Sequence, residues 1–582
     1  MKIMLCTTPI GSEPDTFPPF GSLAIMQALR QVGRDPIFFD IDALRPPFED
    51  VIARFRHEAP DVVGISAVVS TAYGYTKRLC LALHQALPRT RIVVGGNLAA
   101  SAEMLHRMCG VDVCVIGEGE RPIVDLIDCY LRHRDRDEID YADLERIKSI
   151  TYLDAGGHLR FTGYGVAIPA DELLDPDFSI LEAYSDVERY INDPFTRPDF
   201  ASDPRSYEPH RAGKKMGTVV TSKGCVARCT FCHRWDRGFR QLSPAKVIGR
   251  TRHLMERYNV GFIQIGDENF GSDRKALDEF LELIAPLDVL WKVGGMRART
   301  IDLPLLKRMR DAGCVAVYYG FETGSPDILK VMEKNLKLDD NLNAARATHE
   351  AGLFTIYQLV LGMPGETPRT VRETLEMVKQ ITEFLPDPPY KRVSINFAQA
   401  LPGTPLYEYA RFKGLIGPTL QDEETYLLSV SDTPAGNDTT FIDFTGYPYL
   451  TVQTWRPRIL YEATVHWLRQ RKQCPERGAA TTSSTGGWGS YFNLLELQRH
   501  PRWLVPLYPL RWALIWTWTL VRTWGRTPSR LYWQRLGESL MSPLRRNRDV
   551  PDYRSLREIM RTSAPAPQTL SEQSVIPLRL GR

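Results

Sequence analysis

The 582-residue sequence predicts two successive α/β units, an N-terminal doubly wound, Rossmann-like sheet and a partial (β/α)6 barrel, followed by a mainly helical C-terminal region. Three observations predict it. Short apolar runs alternate with helix-length amphipathic segments from residue 1 to about 130. A second alternating series, of six repeats, begins near residue 216. Composition then changes, and nine of the eleven tryptophans lie beyond residue 450. Strand-helix alternation of this kind marks parallel sheets whose ligands gather at the C-terminal strand ends. The expected boundaries are 1–134 for the first unit, 135–215 for a connecting segment, 216–412 for the barrel, 413–561 for a helical region rich in tryptophan and arginine, and 562–582 for a disordered tail.

In the first unit "KIMLCTT", "DPIFFDID", "DVVGISAVV", "RIVVGGN" and "VDVCVIGEGE" read as strands. Helical segments such as "FGSLAIMQALRQVG" and "FEDVIARFRHEA" separate them. Glycines fall at the strand ends: Gly64 with Ser66, Gly95 with Gly96, and Gly117 with Gly119. Residues 135–215, dense in aspartate and proline, read as surface chain. The barrel strands are "MGTVVTSKG", "VGFIQIGD", "VLWKVGGM", "VAVYYGFE", "FTIYQLVLG" and "RVSINFAQ". Chemistry in such a barrel lies at the C-terminal strand ends.

The charged fraction of 25%, the apolar fraction of 43% and a net charge of +3 describe an ordinary globular chain with no nucleic-acid partner. The N-terminus shows no leader pattern, so a cytoplasmic chain with reduced thiols is expected. Most of the ten cysteines sit singly in apolar runs and read as small hydrophobes. Further on, "RWLVPLYPLRWALIWTWTLVRTW" is apolar, but Pro506, Pro509 and Arg511 break it into pieces too short to span a bilayer. Ten arginines and a single acidic residue between 499 and 548 fit peripheral contact with the inner face of a membrane, or an aromatic-rich subdomain packed on the barrel.

The exception among the cysteines is "TSKGCVARCTFCHRW", with Cys225, Cys229 and Cys232 directly after the first barrel strand. Closed zinc sites want four ligands, and His233 beside Cys232 would have to converge on the same ion. Three thiolates can instead hold three corners of a [4Fe-4S] cluster and leave one iron open. CxxxCxxC with an aromatic residue, Phe231, before the last cysteine resembles the radical S-adenosylmethionine (SAM) enzymes. The resemblance implies that SAM chelates the open iron and is cleaved there to a 5'-deoxyadenosyl radical. It also implies cofactor contacts at successive strand ends: Asp267 and Glu268 in "QIGDENF", Arg297 in "GMRART", Glu322 and Ser325 in "GFETGS", and Gly362 in "LGMPGET". No catalytic residue is assigned beyond these binding positions.

"DVVGIS", "VVGGN" and "VIGEGE" resemble the cobalamin-binding domain that precedes many such barrels, with Ser66, Gly95, Gly96, Gly117 and Glu118 as the matching positions. The DxHxxG motif that gives cobalt an axial histidine is absent after the first strand. The resemblance covers residues 1 to about 410 and implies a cobalamin-binding radical SAM protein of the methyltransferase type. Its expected activity is methylation of an unactivated carbon on a hydrophobic or natural-product substrate, lipid-like or aromatic, with flavodoxin or ferredoxin as external electron donor. A cobalamin-dependent cyclase or oxidative enzyme without methyl transfer, and a non-catalytic iron-sulfur redox module, are the alternatives.

Overall fold

The computed structural model describes residues 1–11, 13–133, 141–233, 238–431, 441–473, 520–521, 524, 529–541 and 551–563. Its first sheet has seven strands in the order β2-β1-β3-β4-β5-β6-β7. These are β1 (Ile3–Thr7), β2 (Ile37–Phe39), β3 (Val62–Ser66), β4 (Arg91–Gly95), β5 (Val113–Val115), β6 (Ile150–Leu153) and β7 (Leu159–Phe161). The first five are parallel, in the flavodoxin-like order 2-1-3-4-5, with the direction of winding changing between β1 and β3. Alternate residues feed two separate cores. Ile3 and Leu5 join the helices Phe20–Gln31 and Glu120–Arg132, while Met4 and Cys6 join Phe48–Glu58 and Tyr73–Ala86. Both faces of the sheet are therefore covered, which is why its strands are apolar throughout rather than alternating.

One element departs from expectation. Residues 150–161, expected as connecting surface chain, add β6 and β7 antiparallel to the edge of the sheet. They cap β5, whose free edge would otherwise expose unpaired backbone.

The second sheet is open, six-stranded and wholly parallel, in the order β8-β11-β12-β13-β14-β15. Its strands are β8 (Lys215–Val219), β11 (Val260–Ile265), β12 (Leu290–Met296), β13 (Cys314–Glu322), β14 (Tyr357–Leu361) and β15 (Val393–Phe397). A hairpin of β9 (Ser222–Gly224) and β10 (Phe239–Gln241) stands between β8 and β11. The connecting segment closes the N-terminal end of this barrel. Asp199 accepts hydrogen bonds from Lys292 Nζ and the Tyr318 hydroxyl, both at 2.6 Å, and Phe200 packs among Met216, Phe262 and Leu290. Burial pulls the Lys292 pKa down to about 8 despite its Asp199 partner. With that end plugged, ligands have access from the opposite, C-terminal end.

Behind the barrel, the helix Tyr449–Gln473 buries Trp455 and Trp467 in the main core. Helix Leu420–Val430 returns to the first unit, where Glu424 accepts from Tyr73 at 2.7 Å and pairs with Lys77. These two tryptophans are packing residues. Most of the 499–548 stretch lies outside the described residues, as does the 564–582 part of the expected tail. Among the described residues no helix is long and apolar enough to cross a membrane.

The C-terminal edges of the two sheets face one another, and Glu118 joins them. It follows β5 and accepts from Lys223 at 2.7 Å and Arg240 at 2.8 Å, both on the β9-β10 hairpin, and from the Ile168 N–H at 2.9 Å. Burial opposes its charge, but Lys223 and Arg240 outweigh that and hold its pKa below the usual carboxylate range. Replacing it by glutamine should loosen this contact by about 2 kcal/mol, since a charged acceptor with partly buried partners is lost. Hydrogen exchange checks this: amides of 222–224 and 239–241 should exchange faster in Glu118→Gln, and unchanged protection there would refute the latch.

Candidate functional site

Between the facing edges lies a cavity of about 490 Å³. Ser66, Gly95, Gly96, Gly117 and Glu118 line its first-sheet side, and Gly266 and Glu268 line its barrel side. The expected cradle residues thus meet in one place, at the β1/β3 switch point. Gly96 (φ +88°) is required there, because a Cβ would lie 2.5 Å from the Ala67 carbonyl oxygen; Gly117 is likewise left-handed at φ +84°. The chain after β1 supplies Thr8, Ile10, Asp15 and Phe17 to the wall, with no imidazole among them. Ser22 also lines the cavity, and its buried hydroxyl has no hydrogen-bond partner. A bare glycine cradle with an unsatisfied hydroxyl, beside the uncapped start of helix Phe20–Gln31, fits a large polar ligand such as cobalamin. The Glu118 carboxylate is engaged by Lys223 and Arg240, while the residue still lines the cavity.

The cluster loop is fixed at its middle. Thr230, fully buried, donates from its N–H to the Met332 carbonyl (2.9 Å) and from its hydroxyl to Val331 (3.0 Å), while its own carbonyl accepts from Leu406 N–H (2.9 Å). Phe231 packs on the cluster that contains Val331, Met332 and Met363. Cys229 is buried and its thiol pKa is raised by that burial. Cys232 is exposed as a residue, yet its thiol is pushed up to about 12 by desolvation and by the charges of Cys229, Glu268 and Cys225. Glu268 and the other two cysteines are thus near enough to Cys232 for their charges to act on it.

The spacing of the sulfurs is informative. A single zinc ion, with Zn–S near 2.3 Å, would draw tetrahedral thiolates to roughly 3.8 Å from one another. Among the described residues the ligand atoms that do lie mutually within 4.8 Å are those of Cys129, His133 and Asp143, and Asp143 there also pairs with Arg132 and Arg146. The three loop sulfurs do not form such a mutually close set; a cubane would take each of them on a different iron.

Around the loop the barrel strand ends supply charge. Glu322 ends β13 with φ +60°, a strained conformation for a side-chain-bearing residue, and Lys334 donates to it at 2.6 Å. Burial would lower Lys334, but Glu322, helped by Cys229 and Cys232, raises it. Gly320 makes room for the pair, since a Cβ there would lie 2.2 Å from Glu322 Oε1. Arg297 reaches the Lys334 carbonyl at 3.4 Å, and its charge acts on Cys229. Ser325 is fully buried at the start of helix Pro326–Val331, with its hydroxyl unpartnered.

Asp267 is corrected. It accepts from the Thr221 N–H (2.7 Å), the Thr221 hydroxyl and the Ser222 hydroxyl (2.7 Å), so it ties β11 to the base of the cluster loop. Its neighbour Glu268 opens into the cavity. Gly362 (φ +83°) donates its N–H to Glu366, a fully buried carboxyl that sequence reasoning quoted within "LGMPGET" but did not single out. Lys334 was also missed, because it belongs to no motif.

A clasp closes the region. Helix Leu556–Ser563 buries Leu556 and Ile559 beside Met332 and Met363, and Arg557 pairs with Glu333 and donates to the Arg228 carbonyl at 3.0 Å.

A three-thiolate loop at the mouth of a parallel half-barrel, opposed to a glycine cradle on a flavodoxin-type sheet, defines a class: iron-sulfur enzymes that use SAM together with a corrinoid. Comparison with known proteins gives the same class. Residues 219–378 match the radical SAM superfamily and residues 10–127 match the B12 binding domain. The chain joins a radical SAM domain to a B12 binding domain, the pairing found in cobalamin-dependent radical SAM proteins, and a [4Fe-4S] cluster, SAM and cobalamin are the cofactors those two domains imply. It is 29% identical over 377 residues to an anaerobic magnesium-protoporphyrin IX monomethyl ester cyclase of Cereibacter sphaeroides, a match that covers 62% of this chain and 56% of the cyclase. The chain therefore spans little more than half the length of that relative. It is 27% identical over 430 residues to an uncharacterized methyltransferase of Pyrococcus horikoshii, covering 72% of this chain and 84% of that protein. Its fold is similar to that of the cobalamin-dependent SAM radical enzyme OxsB, solved with aqua-cobalamin and SAM bound (TM-score 0.57, 16% identity, 96% of this chain and 78% of that one).

Glu366 generates a pH prediction. Burial pushes its carboxyl from the ordinary 4.5 up to about 8, against the Gly362 and Met363 amides, which favour the charged form. Between those values the unfolded chain releases a proton that the folded chain keeps, so stability falls as pH rises and the contribution is lost once pH passes about 8. Glu366→Gln should therefore gain several degrees in Tm over the parent on going from pH 5.5 to 8.5. Thermal unfolding across that range is the check, and a constant Tm difference would count against it.

Proposed function

We propose that this protein is a C-methyltransferase that alkylates an unactivated carbon of a small, hydrophobic molecule. The observation that carries the reading is the shared cavity, bordered at once by the glycine cradle of the first sheet and by Gly266 and Glu268 of the barrel. When bound, the cluster with SAM supplies hydrogen-atom abstraction, and cobalamin supplies a methyl carrier.

The chain's own residues then hold these groups close and dry. Cys225, Cys229 and Cys232 are the iron ligands. Ser66, Gly95, Gly96 and Gly117 bring bare backbone to the corrinoid, with Ser22 as a further polar contact. Phe231, Glu268, Arg297, Glu322, Ser325 and Gly362 would hold SAM, with Glu268 available to its amino group and the Gly362 loop to its adenine. One part of the remaining wall, Ile25, Ile123, Leu173, Leu174 and Leu242, is apolar, beside a charged part that includes Asp40, Asp42, Lys223 and Arg250; the apolar part supports a lipid-like or aromatic substrate. An external one-electron donor restores the cluster. Exposed Trp524, Trp533, Leu540 and Met541 support peripheral contact with a membrane that stores such a substrate. The full-length protein should float with anionic liposomes, and a deletion of 499–548 should not.

The relatives include a cyclase and a methyltransferase, and one experiment separates the two chemistries. Incubation with SAM carrying a deuterated methyl group should place the label in the product. Label-free product would favour the cyclase reading. In parallel, Cys229→Ala should abolish 5'-deoxyadenosine formation yet keep the cobalamin absorption spectrum on gel filtration; 5'-deoxyadenosine from that variant would remove the cluster from the mechanism.

A further inference from the structure

A second, larger groove of about 1620 Å³ lies on the back of the cluster loop. Val226, Ala227 and Arg228, the residues between the first two cysteines, form one wall, and the clasp from Tyr553 to Glu558 forms another; none of the three cysteines lines it. Within this segment the Ala227 N–H donates to Cys225 Sγ at 3.4 Å. Whatever sits in the groove therefore touches the residues that directly join the first two cysteines.

The charge of the groove is one-sided. Six basic and three acidic residues line it. Two of the three carboxylates are engaged within the protein: Glu333 by Ser555 and Arg557, and Asp340 by the Lys337 N–H at 2.8 Å. Arg228, Arg299, Lys330, Lys337 and Arg554 are exposed along the rim, Lys330 paired with Asp327 at 3.5 Å and Arg554 with Asp552. Between them Val226 stands 46% exposed, an apolar residue at the tip of an otherwise polar loop. A basic rim around a small apolar contact is the counterpart of an acidic protein surface with an apolar centre, and it is too open to retain a small molecule.

We propose that this groove docks an acidic one-electron carrier protein, seated on Val226 behind the cluster loop. The inference rests on the cluster reading given above. In the step it serves, one electron leaves the reduced carrier and enters the oxidised cluster; no bond forms or breaks and no proton is transferred. The basic rim steers and orients the carrier, so association depends strongly on ionic strength.

The test uses full-length, reconstituted protein titrated with purified flavodoxin by calorimetry at low and high salt. Binding should weaken with salt, and Arg299→Glu combined with Lys330→Glu should weaken it about tenfold. SAM cleavage driven by dithionite, which needs no docking, should stay at the parent level in that variant. Absence of binding by the parent protein, equal affinity in parent and variant, or affinity indifferent to salt would overturn the proposal. So would tighter binding after removal of residues 564–582, which would give the groove to the chain's own C-terminus. If dithionite supports no cleavage in the parent protein, the failure lies in the cluster reading, and the docking inference falls with it.

Discussion

A parallel sheet presents its ligands at one edge only, so a reaction between groups held by two such sheets requires those edges to be opposed and kept in register. Glu118 meets that requirement. It directly follows Gly117, whose left-handed backbone shapes the cradle, and its partner Lys223 lies two residues before Cys225. The cradle, the latch and the cluster loop are thus nearly continuous in the chain. Glu118, with Glu120 also paired to Lys223 at 3.8 Å, ties the first sheet to the chain that leads into Cys225. Phe17 reinforces the joint from the other side, packing so closely on Gly266 that a Cβ there would lie 2.5 Å from its ring. The contact combines charge with shape, and it leaves the cavity between the edges open.

Charge is balanced above the barrel. Three cysteine sulfurs, Glu322 and Glu268 gather in a partly desolvated space, where negative charge is unfavourable without nearby cations. Lys334 and Arg297 supply them, and Gly320 is the small residue that lets Lys334 approach Glu322. The left-handed Glu322 is where the strain of this arrangement is stored. Below, the Asp199–Lys292–Tyr318 network closes the opposite end of the barrel with polar groups that satisfy one another. The same fold therefore confines solvent access to the end where the chemistry lies.

Much of this was legible in the sequence because backbone rules have strong signatures. Glycines at strand ends marked the cradle, and three cysteines after a first strand marked the cluster loop. Side-chain direction was less legible. Asp267 and Glu268 are adjacent, and the two-residue alternation of a strand end turns one inward to Thr221 and the other to the cavity; sequence proximity to the motif could not separate them. Glu118 looked like a cofactor residue because its glycine neighbours are, while its charged partners Lys223 and Arg240 lie more than a hundred residues away. Strands β6 and β7 are three or four residues long amid aspartate and glycine, too short for periodicity to register. Lys334 stands twelve residues from Glu322 with no pattern linking them, and only folding brings them together.

The C-terminal region gains a role from where its chain returns. After the long helix Tyr449–Gln473, which packs on the back of the barrel, residues 551–563 come back to the front. There Arg557 ties Glu333, beside the end of β13, to the backbone of the cluster loop, and Tyr553 covers Gly365 in the loop after β14. Thr230 anchors the same loop from beneath by hydrogen bonds to the helix that ends near Met332. The loop is therefore gripped from below by the barrel and from outside by the last described helix. A cluster with one open iron needs such a grip, since three ligands constrain it less than four would. The segment that resembled nothing in the sequence is part of what holds the three-cysteine loop in place.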